Sequence, residues 1–419
     1  MGYGGASRCR KTPARPFSIE NFRAVARIPD IASRERARRS PYNVDYDERA
    51  GRANWQKHTG FVHMATYKET IASLIRATQF GIDTDIQVGG RPPSMASSEF
   101  LTNKEQGDWA EQVVFNAINE GSDEYCAVRY GRANSLAAGD PGFADFYSEY
   151  QDELNRIGKK PDLLVFRRSD ASSGENCDLD DDDFVRRSVA AIEVRSSSFL
   201  ANKYSAFMES RTREAEAECG RIQKILSQEP LSGPLKEKSP ELHELIRRAT
   251  PDTFREIDFR LRTWSSSELL RNLSDHLRLL KAQIKILHRR DYLSITPKLE
   301  DVALVNRWIQ HFGIRHYYLQ VFFDKAYVIP FRDILTLSSD PRNEGTVFSV
   351  EQDVKNQRKT TIKINVKVGK EILGQIDMPE HRSALKELER GRLLFYVTFQ
   401  GGRGYLDLEV FSHKIINDA

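Results

Sequence analysis

Two short apolar stretches decide how this chain of 419 residues folds: PDLLVF at 161–166 and SVAAIEVR at 188–195. Both have the length and composition of buried β-strands. Asp162 opens the first, and Glu193 interrupts the second between Ile192 and Val194. A carboxylate in a buried strand is costly unless it is paired or bound to a cation. The two stretches therefore predict strands that carry acids to a functional site.

The two predicted strands are expected to form an antiparallel hairpin. A register that sets Asp162 beside Glu193 would bring together two carboxylates, as a hard divalent ion requires. Side chains alternate along a strand, so Glu193 and Arg195 lie on one face and Val194 on the other. Residues 169–183, between the strands, include seven acids and no Lys or Arg, which predicts a solvated insertion.

A third acid precedes the hairpin on a predicted helix at 103–119. Glu111, Val114 and Ile118 fall on one line of this helix, so the carboxylate is expected to point inward. Taken singly, each acid has an ordinary explanation as turn chemistry, a salt bridge or a structural carboxylate. Their order, with a helix Glu, a strand Asp and then a strand Glu followed by a base, favours a shared site.

The ordered set Gly107-Asp108-Trp109-Ala110-Glu111, Pro161-Asp162 and Glu193-Val194-Arg195 resembles the PD-(D/E)xK nuclease superfamily. Within it the chain is similar to type II restriction endonucleases, and to the AccI-like group among them. The resemblance covers residues 103 to about 335. It implies an α/β fold in which helices flank a mixed central β-sheet, with a helical insertion and a β-rich C-terminal region added here.

The resemblance also implies the roles of the site residues. Asp162 and Glu193 would bind Mg²⁺ with the Val194 carbonyl, and Glu111 would assist them. Arg195 stands where the family usually has lysine, and an arginine cannot act as a base. Two explanations stay open: either Arg195 supplies the electrostatic role, or Lys203 on the following helix replaces the lysine.

The implied activity is Mg²⁺-dependent, sequence-specific cleavage of double-stranded DNA that leaves 5′-phosphates. A structure-specific or repair nuclease of the same fold, and a DNA-binding protein without catalysis, are the alternatives. A homodimer is expected because palindromic sites are usually read by two-fold symmetric proteins. The resemblance further implies a bacterial cytoplasmic protein and a cognate DNA methyltransferase as a functional partner.

Candidate DNA contacts flank the predicted site. Arg129 and Arg132 precede the hairpin, and the hydroxyls of Ser196 and Ser197 follow Arg195. These residues are predicted to contact nucleic acid, and at least one of the serines is expected to cap the next helix.

The overall composition excludes some classes of protein but does not indicate a binding partner. Lys and Arg total 63 against 60 Asp and Glu, so charge arguments must be local. Residues 1–60 contain 13 basic and six acidic side chains, which indicates either a phosphate-contacting arm or a solvated terminus. Four scattered cysteines and no long apolar run argue against a zinc ribbon, a disulfide framework and a membrane span.

Three regions are predicted. Residues 1–100 form a basic arm and a helical region, 101–335 form the nuclease core with a helical insertion at about 203–312, and 336–419 are β-rich. Helices are expected at 203–228, 240–248, 265–290 and 299–312, and strands at 316–323, 392–399 and 405–411. The last two strands are expected to form a pair joined by the glycine-rich turn at 401–404.

Overall fold

A mixed β-sheet organises the part of the chain that the computed structural model describes, which is residues 65–131, 136–171, 179–353 and 359–417. Its seven strands are β1 (Tyr125–Arg129), β2 (Leu163–Arg167), β3 (Ala190–Ser196), β5 (His316–Val321), β6 (Ala326–Pro330), β9 (Lys370–Ile376) and β12 (Gly404–Leu406). They lie in the order β1-β2-β3-β5-β6-β9-β12. Only β3 and β5 are parallel neighbours.

Helices cover both faces of this sheet. The helices are α1 (Tyr67–Ala77), α2 (Ser98–Gly121), α3 (Phe143–Ile157), α4 (Arg168–Ala171), α5 (Asp182–Arg186), α6 (Ala201–Leu226), α7 (Ser232–Lys238), α8 (Pro240–Arg248), α9 (Glu268–Leu287), α10 (Leu299–Phe312), α11 (Phe331–Ser339) and α12 (Leu408–Phe411). One apolar cluster joins α2 and α12 to one face, and another joins α1, α10 and α11 to the other. Burial on both faces explains why the central strands are almost continuously apolar.

The expected helical insertion lies between β3 and β5. Helices α6 to α9 share a separate apolar core that includes Ile222, Leu273 and Leu277. The predicted helices at 240–248 and 299–312 are confirmed as α8 and α10, and the other two begin and end within three residues of α6 and α9. Helix α10 returns the chain to the main sheet, where Trp308 and Ile309 are fully buried.

The C-terminal region is β-rich as predicted. Strands β4 (Ser294–Ile295), β7 (Phe348–Asp353) and β8 (Lys359–Asn365) form a small sheet, and β10 (Glu380–Glu387) pairs with β11 (Leu393–Gln400). Strands β9 and β12 instead complete the edge of the main sheet. The predicted α/β class, with helices around a mixed sheet and a β-rich end, is confirmed.

The prediction that 392–399 pairs with a strand at 405–411 is wrong. Strand β12 is short and pairs with β9, and residues 408–411 are helical. The Asp407 carboxylate accepts a hydrogen bond from the Val410 N–H, which caps this helix, and Phe411 is buried against Tyr125. A local cap and a distant apolar partner together override the alternating pattern.

Some predictions lie beyond what the structure describes. The basic stretch 1–60, Arg132 and residues 172–178 of the acidic loop fall outside the described residues. The three-region division stays a prediction. Within the described ranges, no helix has the length and apolar character needed to cross a membrane.

Candidate active site

The site lies where β2 and β3 separate. Leu163 of β2 pairs with Ile192 of β3, so the next position of the antiparallel register sets Asp162 against Glu193. The predicted antiparallel pairing of the two strands is therefore confirmed. Beyond this point β3 continues to Ser196 paired with β5 alone, which leaves one of its edges open.

Main-chain groups at this edge fix Asp162. The Val194 N–H donates to Asp162 Oδ2 at 2.7 Å, and the Tyr130 and Gly131 N–H groups donate to the Asp162 carbonyl at 3.0 and 3.2 Å. The N–H and C=O of one strand residue point to the same edge, so the Val194 carbonyl also faces the side of Asp162. Burial, together with the charges of Glu193 and Glu111, raises the pKa of Asp162 well above its usual value.

Glu193 is almost fully buried between two cations. Its Oε1 accepts from Lys159 Nζ at 2.5 Å and contacts Arg195 Nη2 at 2.9 Å, while Oε2 is buried and has no hydrogen-bond partner within the described ranges. Burial alone would raise the pKa of Glu193, but the charges of Lys159 and Arg195 outweigh it and hold the pKa below its usual value. Removing one partner from such a buried pair typically costs about 3–5 kcal/mol.

Lys159 reaches this position because the chain approaches α10 closely just before it. Gly158 ends α3 at φ +86°, and a Cβ there would lie 2.3 Å from the Leu304 carbonyl oxygen. The Lys159 N–H donates to this same oxygen at 3.0 Å. Only glycine fits this contact, so the backbone of Lys159 is held rigidly against α10.

Asp301, in the first turn of α10, closes the cluster. Its Oδ2 accepts from Lys159 Nζ at 2.9 Å and from Arg195 Nη2 at 2.7 Å. Burial would raise the pKa of Asp301, yet the charges of Lys159 and Arg195 hold it well below its usual value. Two acids and two bases thus form a closed ring of contacts, which we call the charge ring: Lys159, Glu193, Arg195 and Asp301.

Glu111 lies on α2 beside the strand acids, as its helical line predicts. Burial, Asp108 and Glu193 raise the pKa of Glu111 to about 7, against the opposing charges of Arg129 and Lys104. Arg129, at the end of β1, is exposed, donates to Gln112 Oε1 and lies over the Phe115 ring.

Ser196, Ser197 and Lys203 are not among the four residues of the charge ring. Ser196 and Ser197 follow Arg195 and are half-buried, and the Ser197 N–H donates to the Val321 carbonyl. The expectation that a serine caps α6 is wrong, because Asp324 accepts from the first two N–H groups of this helix, at Ala201 and Asn202. Lys203 is exposed in the first turn of α6.

The oxygen atoms at the open edge fit a divalent cation. Asp162 and Glu193 supply two carboxylates, and Glu193 Oε2 is buried with no partner among the residues that the structure describes. The raised pKa of Asp162 marks a carboxylate whose ionised form a bound cation would stabilise. Among the described residues, no group of three or more His, Cys, Asp or Glu side chains is arranged as a metal site. The predicted set has two carboxylates and a main-chain carbonyl.

The family model described as the AccI restriction endonuclease matches residues 65–418. The chain belongs to the AccI restriction endonuclease family. It is a type II site-specific deoxyribonuclease that acts on double-stranded DNA. Restriction endonucleases generally use a divalent metal ion, in agreement with the oxygen atoms at the open edge. Neither the curated proteins nor the solved structures include a significant match.

Sequence reasoning about this AccI-family chain missed Lys159 and Asp301. One signal was available for Lys159, because a lysine lies three residues before Asp162 in the stretch Gly158-Lys159-Lys160-Pro161-Asp162. Asp301 gave no such signal, since an acid in the first turn of a helix is ordinary chemistry.

Proposed function

We propose that the chain uses Mg²⁺ to hydrolyse phosphodiester bonds at a specific sequence in double-stranded DNA, leaving 5′-phosphates and 3′-hydroxyls. The observation that carries this proposal is the carboxylate pair Asp162 and Glu193 at the open edge of β3, with no hydrogen-bond partner for Glu193 Oε2 in the described part of the chain. Oxygen ligands of this kind suit Mg²⁺, which keeps part of its water shell.

In this proposal Asp162, Glu193 and the Val194 carbonyl hold the ion. When bound, Mg²⁺ neutralises charge on the phosphodiester and lowers the pKa of a coordinated water. The Val194 N–H orients Asp162, and the two cations on Glu193 Oε1 orient its other oxygen. Glu111, with a pKa of about 7, lies where it can assist by holding a proton near the strand acids.

Arg195 contributes positive charge at the site, because a guanidinium stays protonated. Arg129 and Ser196 end β1 and β3, and Ser197 follows Ser196; in this proposal the three residues contact DNA phosphates. We further propose a homodimer, since an enzyme that reads a two-fold symmetric site cuts one strand with each subunit. A cognate methyltransferase would protect the same site in the cell.

Cleavage of unmethylated phage DNA by the purified protein tests the proposal. We expect discrete fragments with Mg²⁺ and none with EDTA, and we expect a DNA ligase to rejoin the fragments, as 5′-phosphate and 3′-hydroxyl ends allow. Asp162→Asn should give no fragments. The matched control is Asp275→Asn on α9, which removes an exposed carboxylate paired with Arg278 and should cut as wild type does.

Other outcomes would contradict the proposal. A smear would indicate a nuclease without sequence specificity, and a salt-sensitive mobility shift without cleavage would indicate a binding protein. Fragments from Asp162→Asn would overturn the assignment of the site. Sedimentation of the protein at several concentrations tests the homodimer.

A further inference from the structure

The cations of the charge ring contact Glu193 through one oxygen only. Lys159 Nζ and Arg195 Nη2 both bind Oε1, and no donor among the described residues binds Oε2. A carboxylate held through one oxygen by two buried cations cannot rotate freely, so its second oxygen has a fixed direction. The ring therefore determines how Glu193 presents its ligand atom.

Asp301 holds the same two cations from the other side. Lys159 Nζ lies 2.9 Å and Arg195 Nη2 lies 2.7 Å from the one oxygen Asp301 Oδ2. The side chains of the three partners are only 16–21% exposed, so water screens these contacts weakly. Asp301 also counters the repulsion between the two bases.

Two adjacent main-chain contacts with α10 fix Lys159. The Lys159 N–H donates to the Leu304 carbonyl, and Gly158 packs directly on α10. Asp301 lies in the first turn of this same helix, three residues before Leu304. Lys159 and Asp301 thus both lie beside the close contact between the end of α3 and α10. A rigid backbone of this kind is what holds a functional side chain in a precise position.

We infer that Lys159 takes the place of the lysine that the sequence Glu193-Val194-Arg195 lacks, as a positioning residue for Glu193, and that Asp301 is a second positioning residue that holds Lys159 and Arg195 on Glu193 Oε1. The inference rests on the proposed function, because it assigns the supporting residues of the same site. It assigns neither role to Lys203.

Lys160 provides a matched control for the substitution of Lys159. It is adjacent in sequence and its side chain is equally buried, but Nζ contacts Glu153 at 3.2 Å and the Tyr130 ring at 5.1 Å, away from the charge ring. The test compares Lys159→Met with Lys160→Met, which remove one ammonium each and keep a side chain of similar length. Single-turnover cleavage and DNA affinity by fluorescence anisotropy in EDTA are measured on a duplex carrying the site read from fragment ends.

We expect Lys159→Met to cleave at least about 100-fold more slowly, as loss of one preorganised charge contact does in other enzymes. DNA affinity should be unchanged, and Lys160→Met should cleave as wild type. Asp301→Asn should slow cleavage about tenfold, the usual effect of a supporting partner. Its effect should shrink in the Lys159→Met background, because the two residues act through one contact.

Three results would overturn the inference: a wild-type rate for Lys159→Met, an equal loss in Lys160→Met, or fully additive effects of Lys159→Met and Asp301→Asn. If circular dichroism shows that Lys159→Met does not fold, the cleavage rates of Asp301→Asn and Lys159→Arg test the inference instead. The inference then requires Asp301→Asn to be slowed and Lys159→Arg, which keeps the charge, to cleave faster than Asp301→Asn. The reverse order would contradict it.

Glu193→Gln separates this inference from the proposed function. If Glu193→Gln cleaves as wild type, the proposed function itself fails. If Glu193→Gln is inactive while Lys159→Met cleaves at the wild-type rate, the proposed function stands and the inference alone is overturned.

Discussion

The charge ring at the end of β3 and the ion pairs of the helical insertion use the same residue types at similar distances. Arg195 and Glu193 are 2.9 Å apart, and Arg221 and Glu218 on α6 are 2.6 Å apart. The Glu193 side chain is 2% exposed and that of Glu218 is 33% exposed. Distance alone therefore does not distinguish a site from a surface pair.

Burial and sequence separation make the difference. The pair on α6 joins residues three apart on one helix, where water screens the ion pair and its contribution to stability is small. The ring joins residues of β3, α10 and the segment before β2, and water reaches its atoms poorly. Removing one of these partners leaves the others as uncompensated buried charges. We therefore expect function to be most sensitive to substitution of the ring residues.

The largest expected effect is the loss of Glu193 as a ligand. Glu193→Gln should slow single-turnover cleavage by at least about 1,000-fold, or about 4 kcal/mol in activation free energy, because an amide carries no charge for a cation. Glu218→Gln on α6 serves as the control and should leave the rate unchanged. Comparable losses in both variants would erase the distinction between ring and surface pair.

The next effect concerns acid stability and His316, which is fully buried at the start of β5. Burial lowers the pKa of His316 to about 4, so folding favours the neutral ring. Its contribution to stability is complete above pH 6.5 and is lost as the pH falls toward 4, by about 3 kcal/mol. His316→Leu should weaken this acid dependence in denaturant titrations between pH 4 and 7.

A histidine of the insertion gives the control for this measurement. His276→Leu, on α9 of the insertion, replaces the same residue type outside the main sheet and is measured beside His316→Leu. The interpretation would be wrong if His316→Leu retained the full slope, since the lost stability would then belong to other groups.

A smaller effect is expected from Arg195→Lys. A single nitrogen, Nη2, makes both contacts of Arg195 in the ring, so one ammonium can replace it. We expect the cleavage rate to fall by about tenfold or less, equal to about 1.4 kcal/mol, because the fork geometry of arginine is lost. Arg195→Met should fall much further in the same assay. Equal rates for the two variants would show that charge at this position is unimportant.

The smallest effect is expected from Lys203→Ala. Lys203 is exposed on α6, so its removal should change stability and cleavage by less than about 0.5 kcal/mol. Kinetic assays and thermal melts of Lys203→Ala beside Lys159→Met compare the two lysines directly. An inactive Lys203→Ala with an active Lys159→Met would instead assign the role of the missing lysine to Lys203 on α6.

Local sequence patterns predicted much of the fold. The strands around Asp162 and Glu193, the helix that carries Glu111 and the helices α8 and α10 are where alternation, helical period and breaks placed them. The pattern failed at 405–411, where the cap at Asp407 and the burial of Phe411 favour a helix. Helix α3 was not predicted, although its C-terminal glycine positions Lys159.

The site was predictable only in part. Asp162, Glu193 and Glu111 could be found because each acid breaks an apolar pattern of its own segment. Nothing local indicates that Asp301 contacts Lys159, since these residues are 142 positions apart. Similarly, the choice between Arg195 and Lys203 left out Lys159, which enters the site from the chain before β2.

The sequence by itself determined which faces of its strands and helices are buried and which carboxylates interrupt them, because side-chain periodicity is a local property of the backbone. The tertiary structure alone decided which charges meet. The close contact between Gly158 and α10 brings Lys159 and Asp301 to Glu193, and such a contact depends on how distant segments pack. Periodicity specifies a face, whereas packing specifies the neighbour on that face.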